Sequence, residues 1–204
     1  MVRSKSSHEW LREHFTDPYV KQAQQEGYRS RASFKLIEIQ KKYKIIRPGM
    51  IVLDIGAAPG GWSQLAAEWV TDKGTVIAVD LLPIASLAQV KIIQGDIMEE
   101  NVAEQVMQHL APETHFDVIM SDMAPNMSGI TVVDQSRVIG QVEYVLEIAE
   151  ELLKPKGVLL TKIFQGAGFE DIIKHLRKHY QKLQIIKPPA SRQRSKEIYL
   201  LAWK

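Results

Sequence analysis

Two charged residues lie where the sequence predicts burial, and burial of charge is costly. Lys162 belongs to a largely apolar run, residues 158–164, with the composition of a buried β-strand. Asp122 directly follows a second apolar segment, residues 116–121. If the two segments are neighbouring parallel strands, the carboxylate lies beside the ammonium group, and such a pair can orient or deprotonate a hydroxyl group. The alternative is a lysine whose long side chain carries its charge into solvent.

A glycine-rich corner after the first predicted strand indicates a cofactor site. The stretch IVLDIGAAPGGW, residues 51–62, reads as a short buried strand that turns directly into a helix. Aligned on Gly56 the turn is G-x-A-x-x-G, so Ala58 stands where close approach of a pyrophosphate requires glycine. This favours a cofactor without a pyrophosphate, and S-adenosylmethionine fits. A turn with a purely structural role is the alternative.

Two further carboxylates are predicted at the ends of successive strands. Asp80 ends the second strand, where an acidic side chain can accept hydrogen bonds from both ribose hydroxyls of a nucleoside. Asp96 ends the third strand, where its carboxylate could bind an adenine amino group. Either residue alone could be a helix N-cap, but the two together favour a cofactor. The contact predicted for Asp80 is shared with nicotinamide-dependent oxidoreductases, so it does not choose between the two cofactors.

The elements that must position these residues alternate between strand and helix from residue 51 onward. Strands are predicted at 51–55, 75–79, 90–94, 116–121, 157–163, 182–188 and 197–203, and helices near 61–70, 99–110, 134–153 and 168–179. Such alternation predicts an α/β, Rossmann-like fold with helices on both faces of a mostly parallel sheet. The last two strands are joined by a short loop and should pair antiparallel, which gives seven strands with an antiparallel edge strand.

The chain is predicted to be a single domain over residues 1–204. Residues 1–50 form a basic, helical N-terminal extension, and residues 51–204 form the core. Within the extension, a helix over 7–26 should be interrupted near Asp17-Pro18, because proline disfavours a continuous helix. A second helix opens near residues 28–35, with Phe34, Leu36, Ile37 and Ile39 able to face the core.

The net charge of +2 conceals two basic ends around an acidic middle. Residues 1–50 carry a net charge of +6 and residues 174–204 carry +8, while residues 51–173 carry −12. This distribution predicts a polyanion-binding face built from the two ends, with an ordinary solvated surface as the alternative. The chain has no cysteine, no apolar span long enough for a bilayer and no histidine spacing that suggests a metal site. We therefore expect a soluble, cytoplasmic protein without a metal.

Several longer stretches match one known family. They comprise 29–32, 34–36, 54–64, 80–83, 121–129, 162, 164–166 and 191–199. On these stretches the sequence resembles the FtsJ/RrmJ-type ribosomal RNA large-subunit 2′-O-methyltransferases over nearly its whole length. The resemblance implies a class I S-adenosylmethionine-dependent methyltransferase fold and a Lys-Asp-Lys-Glu catalytic set, which falls on Lys35, Asp122, Lys162 and Glu197. It also implies cofactor contacts, which fall on Gly60, Trp62, Asp80, Asp96 and Asp122.

The same resemblance implies the substrate. It implies methylation of the ribose 2′-hydroxyl of a uridine in 23S ribosomal RNA, on an assembled or nearly assembled large subunit, by a protein expected to be monomeric. Basic residues on the two sides of the site are predicted to contact the RNA: Arg29, Arg31, Arg192, Arg194 and Lys196. Residue spacing alone shows neither the nucleotide nor the roles of Lys35 and Glu197.

A ribose hydroxyl is a poor nucleophile, so the protein must orient or deprotonate it. Lys162 is either the base or a cation that orients the hydroxyl and stabilises a developing alkoxide, and the sequence leaves both roles open. Three other functions are alternatives to 2′-O-methylation. For a nicotinamide oxidoreductase, the chain lacks a Tyr/Lys or His set that could handle hydride. A non-catalytic assembly factor would not need Lys162 and Asp122, and both are present. An exocyclic-amine methyltransferase would carry an aromatic residue in the segment after Asp122.

Overall fold

In a computed structural model that describes residues 16–125 and 128–204, the first two helices pack beside the glycine-rich corner. Helix α1 (Pro18–Glu26) begins after Asp17, whose carboxylate accepts a hydrogen bond from the backbone N–H of Tyr19 at 3.0 Å. The predicted interruption at Asp17-Pro18 is confirmed, while the predicted helical residues 7–15 lie outside the described range. Helix α2 (Ser33–Tyr43) buries Phe34, Leu36 and Ile39.

Seven strands and four more helices follow. In chain order they are β1 (Ile51–Ile55), α3 (Gly61–Val70), β2 (Thr75–Asp80), β3 (Val90–Gln94), α4 (Glu100–Gln108), β4 (Phe116–Ser121), α5 (Thr131–Leu152), β5 (Leu153–Phe164), α6 (Phe169–His179), β6 (Lys182–Ile186) and β7 (Glu197–Trp203). The strand order across the sheet is β3-β2-β1-β4-β5-β7-β6. The predicted fold class is confirmed. The antiparallel strand β7 lies between β5 and the outermost strand β6.

The largest difference from the prediction lies between α5 and β5. The sequence predicts a helix that ends at residue 153 and a strand that begins at residue 157, but α5 ends at Leu152 and β5 begins at the next residue. Leu153 pairs with Phe116 and Val158 with Val118, so residues 154–157 form an irregular section within β5. Lys156 has a positive φ of 66° there. The Lys-Pro-Lys-Gly sequence does end the helix, because Pro155 cannot continue it.

The core lies on both faces of the sheet and leaves the carboxyl ends of the parallel strands open. Helices α2 and α3 cover one face, and Leu36, Trp62 and Leu65 are buried there. Helices α4, α5 and α6 cover the other face. In the part of the chain that the structure describes, no helix is both long and apolar enough to span a bilayer. The charged residues singled out above lie at the open carboxyl ends of the parallel strands, which is where sheets of this kind bind their ligands.

Candidate active site

Lys162 and Asp122 are in direct contact at the ends of neighbouring strands. The Lys162 Nζ lies 2.9 Å from Asp122 Oδ1 and donates a hydrogen bond to the Asp122 backbone oxygen at 2.6 Å. Asp122 follows β4 and Lys162 lies near the end of β5, and these two strands are parallel partners. Lys162 is only 8% exposed, so its ammonium is not carried into solvent. The pairing expected from the sequence is present.

Lys35 and Glu197 complete a group of four charged residues. Lys35 comes from α2, and its Nζ lies 2.9 Å from Glu197 Oε1 and 3.9 Å from Asp122 Oδ1. Glu197 is the first residue of β7 and pairs with Phe164 of β5. The structure thus joins one helix and three strand ends in a single cluster, which is electrically neutral when all four side chains are ionised.

The two lysines keep both carboxyl groups ionised. Burial alone would raise the pKa of Asp122, but the charges of Lys162 and Lys35 outweigh it and hold that pKa below its ordinary value. Burial likewise opposes ionisation of Glu197, and Lys35 again brings the pKa below its ordinary value. Both carboxylates are therefore available at neutral pH as acceptors that fix the positions of the ammonium groups.

Tyr199 also belongs to this cluster, although no role was predicted for it. Its hydroxyl donates a hydrogen bond to Asp122 Oδ1 at 2.5 Å, and its ring centroid lies 5.5 Å from the Lys35 Nζ. Burial, followed by the negative charge of Asp122, raises the pKa of Tyr199 well above its ordinary value. Tyr199 pairs with Lys162 across β5 and β7, and in an apolar strand it reads as a core residue until that pairing is known.

We expect Tyr199→Phe to slow moderately the reaction in which this charged cluster takes part, and to change the pH dependence of its rate. Loss of one hydrogen bond to a charged group should reduce the rate by about tenfold. Because that hydrogen bond helps to lower the pKa of Asp122, the acid limb of the pH–rate profile should move to higher pH in the variant. Tyr43→Phe, remote from the cluster, is the control, and an unchanged acid limb in Tyr199→Phe would contradict the prediction.

A cleft of about 660 Å³ opens directly beside the charged cluster. Three carboxylates line it, those of Asp80, Asp96 and Asp122. The rest of the lining comes from the glycine corner, from residues 81–82 and 123–124, and from Gly140, Gln141 and Tyr144 of α5. The cleft lies at the carboxyl ends of β1, β2, β3 and β4. The three carboxylates that the sequence assigned to the cofactor therefore share one cavity.

The carboxylates of Asp80 and Asp96 are held in place by hydrogen bonds within the protein. Asp80 accepts from the backbone N–H groups of Ala58 and Leu82, both at 2.8 Å. Asp96 Oδ1 accepts from the backbone N–H of Met98 at 3.0 Å and from the Tyr144 hydroxyl at 2.5 Å. Tyr144 was missed by sequence reasoning because nothing in helix α5 marks one turn as a cleft wall.

Two of the predicted cofactor residues lie behind the cleft wall. The Trp62 side chain is 3% exposed, and its indole N–H donates to the Ala32 backbone oxygen at 2.9 Å. Any contact of Trp62 with a cofactor therefore falls to its backbone. Gly60 has a φ of 101°, and a Cβ there would come within 3.0–3.2 Å of Leu87, Arg29 and Ile84. Gly60 thus permits close packing of the segment 84–87 on the glycine corner.

The lining of the cleft suits a nucleoside cofactor without a pyrophosphate. Two carboxylates at successive strand ends can accept hydrogen bonds from ribose hydroxyls and an amino group, and Leu81, Leu82 and Ile97 offer apolar surface. Ala58 lines the cleft at the position where close approach of a pyrophosphate requires glycine. The residues present fit S-adenosylmethionine. The described part of the chain also contains no group of three side chains that could ligate a metal ion.

The five basic residues predicted to contact RNA are used in different ways. The Arg31 Nε and an Arg192 Nη2 lie 3.1 and 3.3 Å from Asp17 Oδ2. The Arg29 guanidinium donates to the backbone oxygens of Pro59, Ala85 and Ser86. Arg194 and Lys196 are exposed. Arg29 therefore links the extension to the glycine corner, and Arg31 and Arg192 link it to the loop before β7, structural contacts that the charge pattern did not reveal.

The fold and the two adjoining sites define a methyltransferase, and the chain belongs to the FtsJ-like methyltransferase family, which matches residues 28–204. A Pseudomonas fluorescens (strain Pf0-1) protein named Ribosomal RNA large subunit methyltransferase E is 51% identical over 203 residues, which cover 100% of this chain and 97% of the relative. A protein of the same name from Alcanivorax borkumensis is 52% identical, covering 98% of this chain and 96% of the relative. The family predicted from the sequence is confirmed.

The fold is also similar to a solved structure. A crystal structure from Plasmodium falciparum, described as a ribosomal RNA methyltransferase, superimposes with a TM-score of 0.77 at 27% identity. The match covers 87% of this chain and 98% of that chain. The class I methyltransferase fold expected from the sequence is therefore confirmed.

Proposed function

We propose that this protein transfers the methyl group of S-adenosylmethionine to the ribose 2′-hydroxyl of a uridine in large-subunit (23S) ribosomal RNA, on the assembled subunit. The observation that carries the proposal is the cluster of Lys35, Asp122, Lys162 and Glu197 at the edge of the cofactor cleft. The names of the relatives support the RNA class, and the carboxylates of the cleft support the cofactor. We further propose that the protein acts in the cytoplasm as a monomer and forms one domain over residues 1–204.

The charged cluster is suited to the oxygen that attacks the methyl group. Bound S-adenosylmethionine supplies a methyl group that is already activated by its cationic sulfur. Asp122 and Glu197 fix the two ammonium groups, so that Lys162 orients the 2′-oxygen and stabilises the charge that develops on it. The O–CH₃ bond forms as the S–CH₃ bond breaks, and the hydroxyl proton passes to solvent water. Lys35, held by Glu197, is the second positioning group. Because Asp122 lies in both the cluster and the cofactor cleft, the two reactants meet at this residue.

The chain lacks residues that the two rival enzyme functions would need. A nicotinamide oxidoreductase would need glycine where this chain has Ala58, because the pyrophosphate must approach the backbone closely at that position. An exocyclic-amine methyltransferase would stack its target base on an aromatic residue next to Asp122, where this chain has Met123-Ala124-Pro125. Mass identification of any small molecule that copurifies with the protein would separate the two cofactors.

The deciding experiment is transfer of tritium from methyl-labelled S-adenosylmethionine to large ribosomal subunits. We expect label in a single ribose, recovered after alkaline hydrolysis as a resistant dinucleotide because a 2′-O-methyl group blocks cleavage. Protein-free ribosomal RNA in a parallel reaction tests whether the assembled subunit is required. Label in a base, or no label in either substrate, would contradict the proposed function.

The RNA contact proposed for the exposed basic residues predicts a salt dependence. Arg194→Ala should weaken binding of large-subunit RNA and lower the slope of log affinity against log salt concentration by about one. The measurement is filter binding at several salt concentrations. Lys91→Ala, an exposed charge on β3 at the opposite edge of the sheet, is the matched control. Equal slopes in the two variants would remove Arg194 from the RNA-binding face.

A further inference from the structure

A smaller groove lies near the charged cluster and has no role in the methyl transfer proposed above. It has a volume of about 300 Å³ and lies between the first turns of α5 and the segment that follows β5. The residues that matter here are Gln135 and Val138 from α5, Phe164, Gln165 and Gly166 at the end of β5, and Lys196 before β7. We call this the α5–β5 groove.

The groove adjoins both the charged cluster and the cofactor cleft. Phe164 follows Lys162 by two residues in β5, a distance of about 6.6 Å along a strand, and it pairs with Glu197. Helix α5 lines the groove with Gln135 and Val138, and one to two turns later the same helix lines the cofactor cleft with Gln141 and Tyr144. A ligand in the groove would therefore contact residues two positions from Lys162 along β5 and one position from Glu197 along the chain.

The groove has the chemistry of a nucleobase site. Phe164 and Val138 offer apolar surface for the face of a ring, and the amides of Gln135 and Gln165 can each donate and accept hydrogen bonds. Lys196 adds a positive charge for a phosphate. At Gly166, an added Cβ would lie 3.4 Å from the Gln135 Nε2, so the two walls of the groove are in close contact there.

The wall formed by α5 is fixed by a hydrogen-bonded turn. Asp134, 6% exposed, accepts from the backbone N–H of Ser128 at 2.6 Å, from the Ser128 hydroxyl at 2.7 Å and from the backbone N–H of Gly129 at 3.0 Å. These hydrogen bonds lower the pKa of Asp134. The start of α5 is thereby fixed to residues 128–129, which gives this wall of the groove a defined position.

Resting on the proposed function, we infer that the α5–β5 groove binds the base of the nucleotide whose ribose is methylated, with Gln135 and Gln165 contacting the hydrogen-bonding edge of uracil. The imide edge of uracil presents one donor between two acceptors, which glutamine amides can complement. Such a pocket would bring the ribose of an unstacked nucleotide to Lys162 and select the base at the same time.

Two measurements test the inference. The first uses the double variant Gln135→Ala/Gln165→Ala and measures methyl transfer to large subunits. We expect kcat/KM to fall by about tenfold or more, while the affinity for S-adenosylmethionine is unchanged. In the second, which needs no turnover, side-chain amide NMR signals of Gln135 and Gln165 are followed during titration with uridine 5′-monophosphate. Both signals should shift, and ribose 5-phosphate, which has no base, should leave them in place.

Gln105→Ala is the matched control for loss of a glutamine. Gln105 is an exposed residue of α4 whose Nε2 donates to the backbone oxygen of Asn101 at 3.1 Å, and we expect wild-type kinetics from its variant. Unchanged kinetics in the double variant, or equal shifts with ribose 5-phosphate, would overturn the base assignment while wild-type methylation still stood. Absence of 2′-O-methylation by the wild-type protein would instead contradict the proposed function.

Discussion

Replacing Lys162 with alanine should reduce methyl transfer by at least about 10³-fold while S-adenosylmethionine affinity stays within about twofold of the wild type. The Lys162 ammonium is the cation in closest contact with Asp122, at 2.9 Å, and it is almost completely buried. Its removal deprives the attacking oxygen of the group that orients it. The Lys162 side chain does not line the cofactor cleft, so the cofactor should bind as before. Tritium transfer and calorimetric titration with the cofactor give the two numbers.

Loss of folding must be separated from loss of chemistry in this variant. Removal of one partner from a buried ion pair is destabilising, but Asp122 keeps the Tyr199 hydroxyl at 2.5 Å and the Lys35 ammonium at 3.9 Å. A melting curve therefore accompanies the assay, and Lys91→Ala on the remote strand β3 is the control for loss of a lysine. Wild-type turnover by a folded Lys162→Ala protein would exclude Lys162 from the mechanism.

Much of the fold can be predicted from the sequence because its elements obey local rules. The apolar run 51–55 ends in glycines, and the structure places β1 over those residues. The boundaries of β3, β4 and β7 are also those predicted. The irregular section of β5 was not predictable, because its residues have the composition of a turn and are drawn into the strand by pairing with β4 and by hydrogen bonds to Lys204.

The site can be predicted only where a residue type is costly in its local context. Lys162 in a largely apolar run and Asp122 after a buried strand are such residues, and they lie in contact. Lys35 and Glu197 were found through resemblance alone, since a lysine in a basic helix and a glutamate at a strand end are ordinary locally. Their 2.9 Å contact joins residues far apart in sequence.

Other features depend wholly on tertiary contacts. Tyr144 reaches Asp96 from a helix that begins 35 residues later in the chain, and a hydrogen bond of 2.5 Å joins them. Arg31 and Arg192 look like RNA-binding residues in a charge profile, but both lie against the buried carboxylate of Asp17. A charge profile therefore predicts a basic surface but not the contacts that its residues make within the protein, and the RNA contacts of these residues stay predictions.

Replacing Asp54 with asparagine should remove a pH dependence of folding stability that amounts to about 4 kcal/mol. Asp54 is 1% exposed in the centre of the sheet, and burial is the main reason that its pKa rises to about 7. The Ser63 hydroxyl donates to its carboxylate at 2.6 Å and opposes the shift, while the negative charges of Asp122 and Asp80 add to it. Ionised Asp54 thus destabilises the folded state.

The sign of the effect follows from the two pKa values. Between the ordinary value of 3.8 and about 7, the folded protein holds a proton on Asp54 that the unfolded chain has lost, so stability contributed by this group falls as pH rises through that range. Urea unfolding of the wild type and Asp54→Asn at pH 4 to 8 should show a difference that grows in favour of the variant up to about pH 7 and is then constant. The exposed Asp72→Asn variant controls for loss of a carboxylate. Parallel curves for the wild type and Asp54→Asn would show that Asp54 is ionised throughout. In that case, the hydrogen bond from Ser63 would offset the cost of burying the ionised carboxylate.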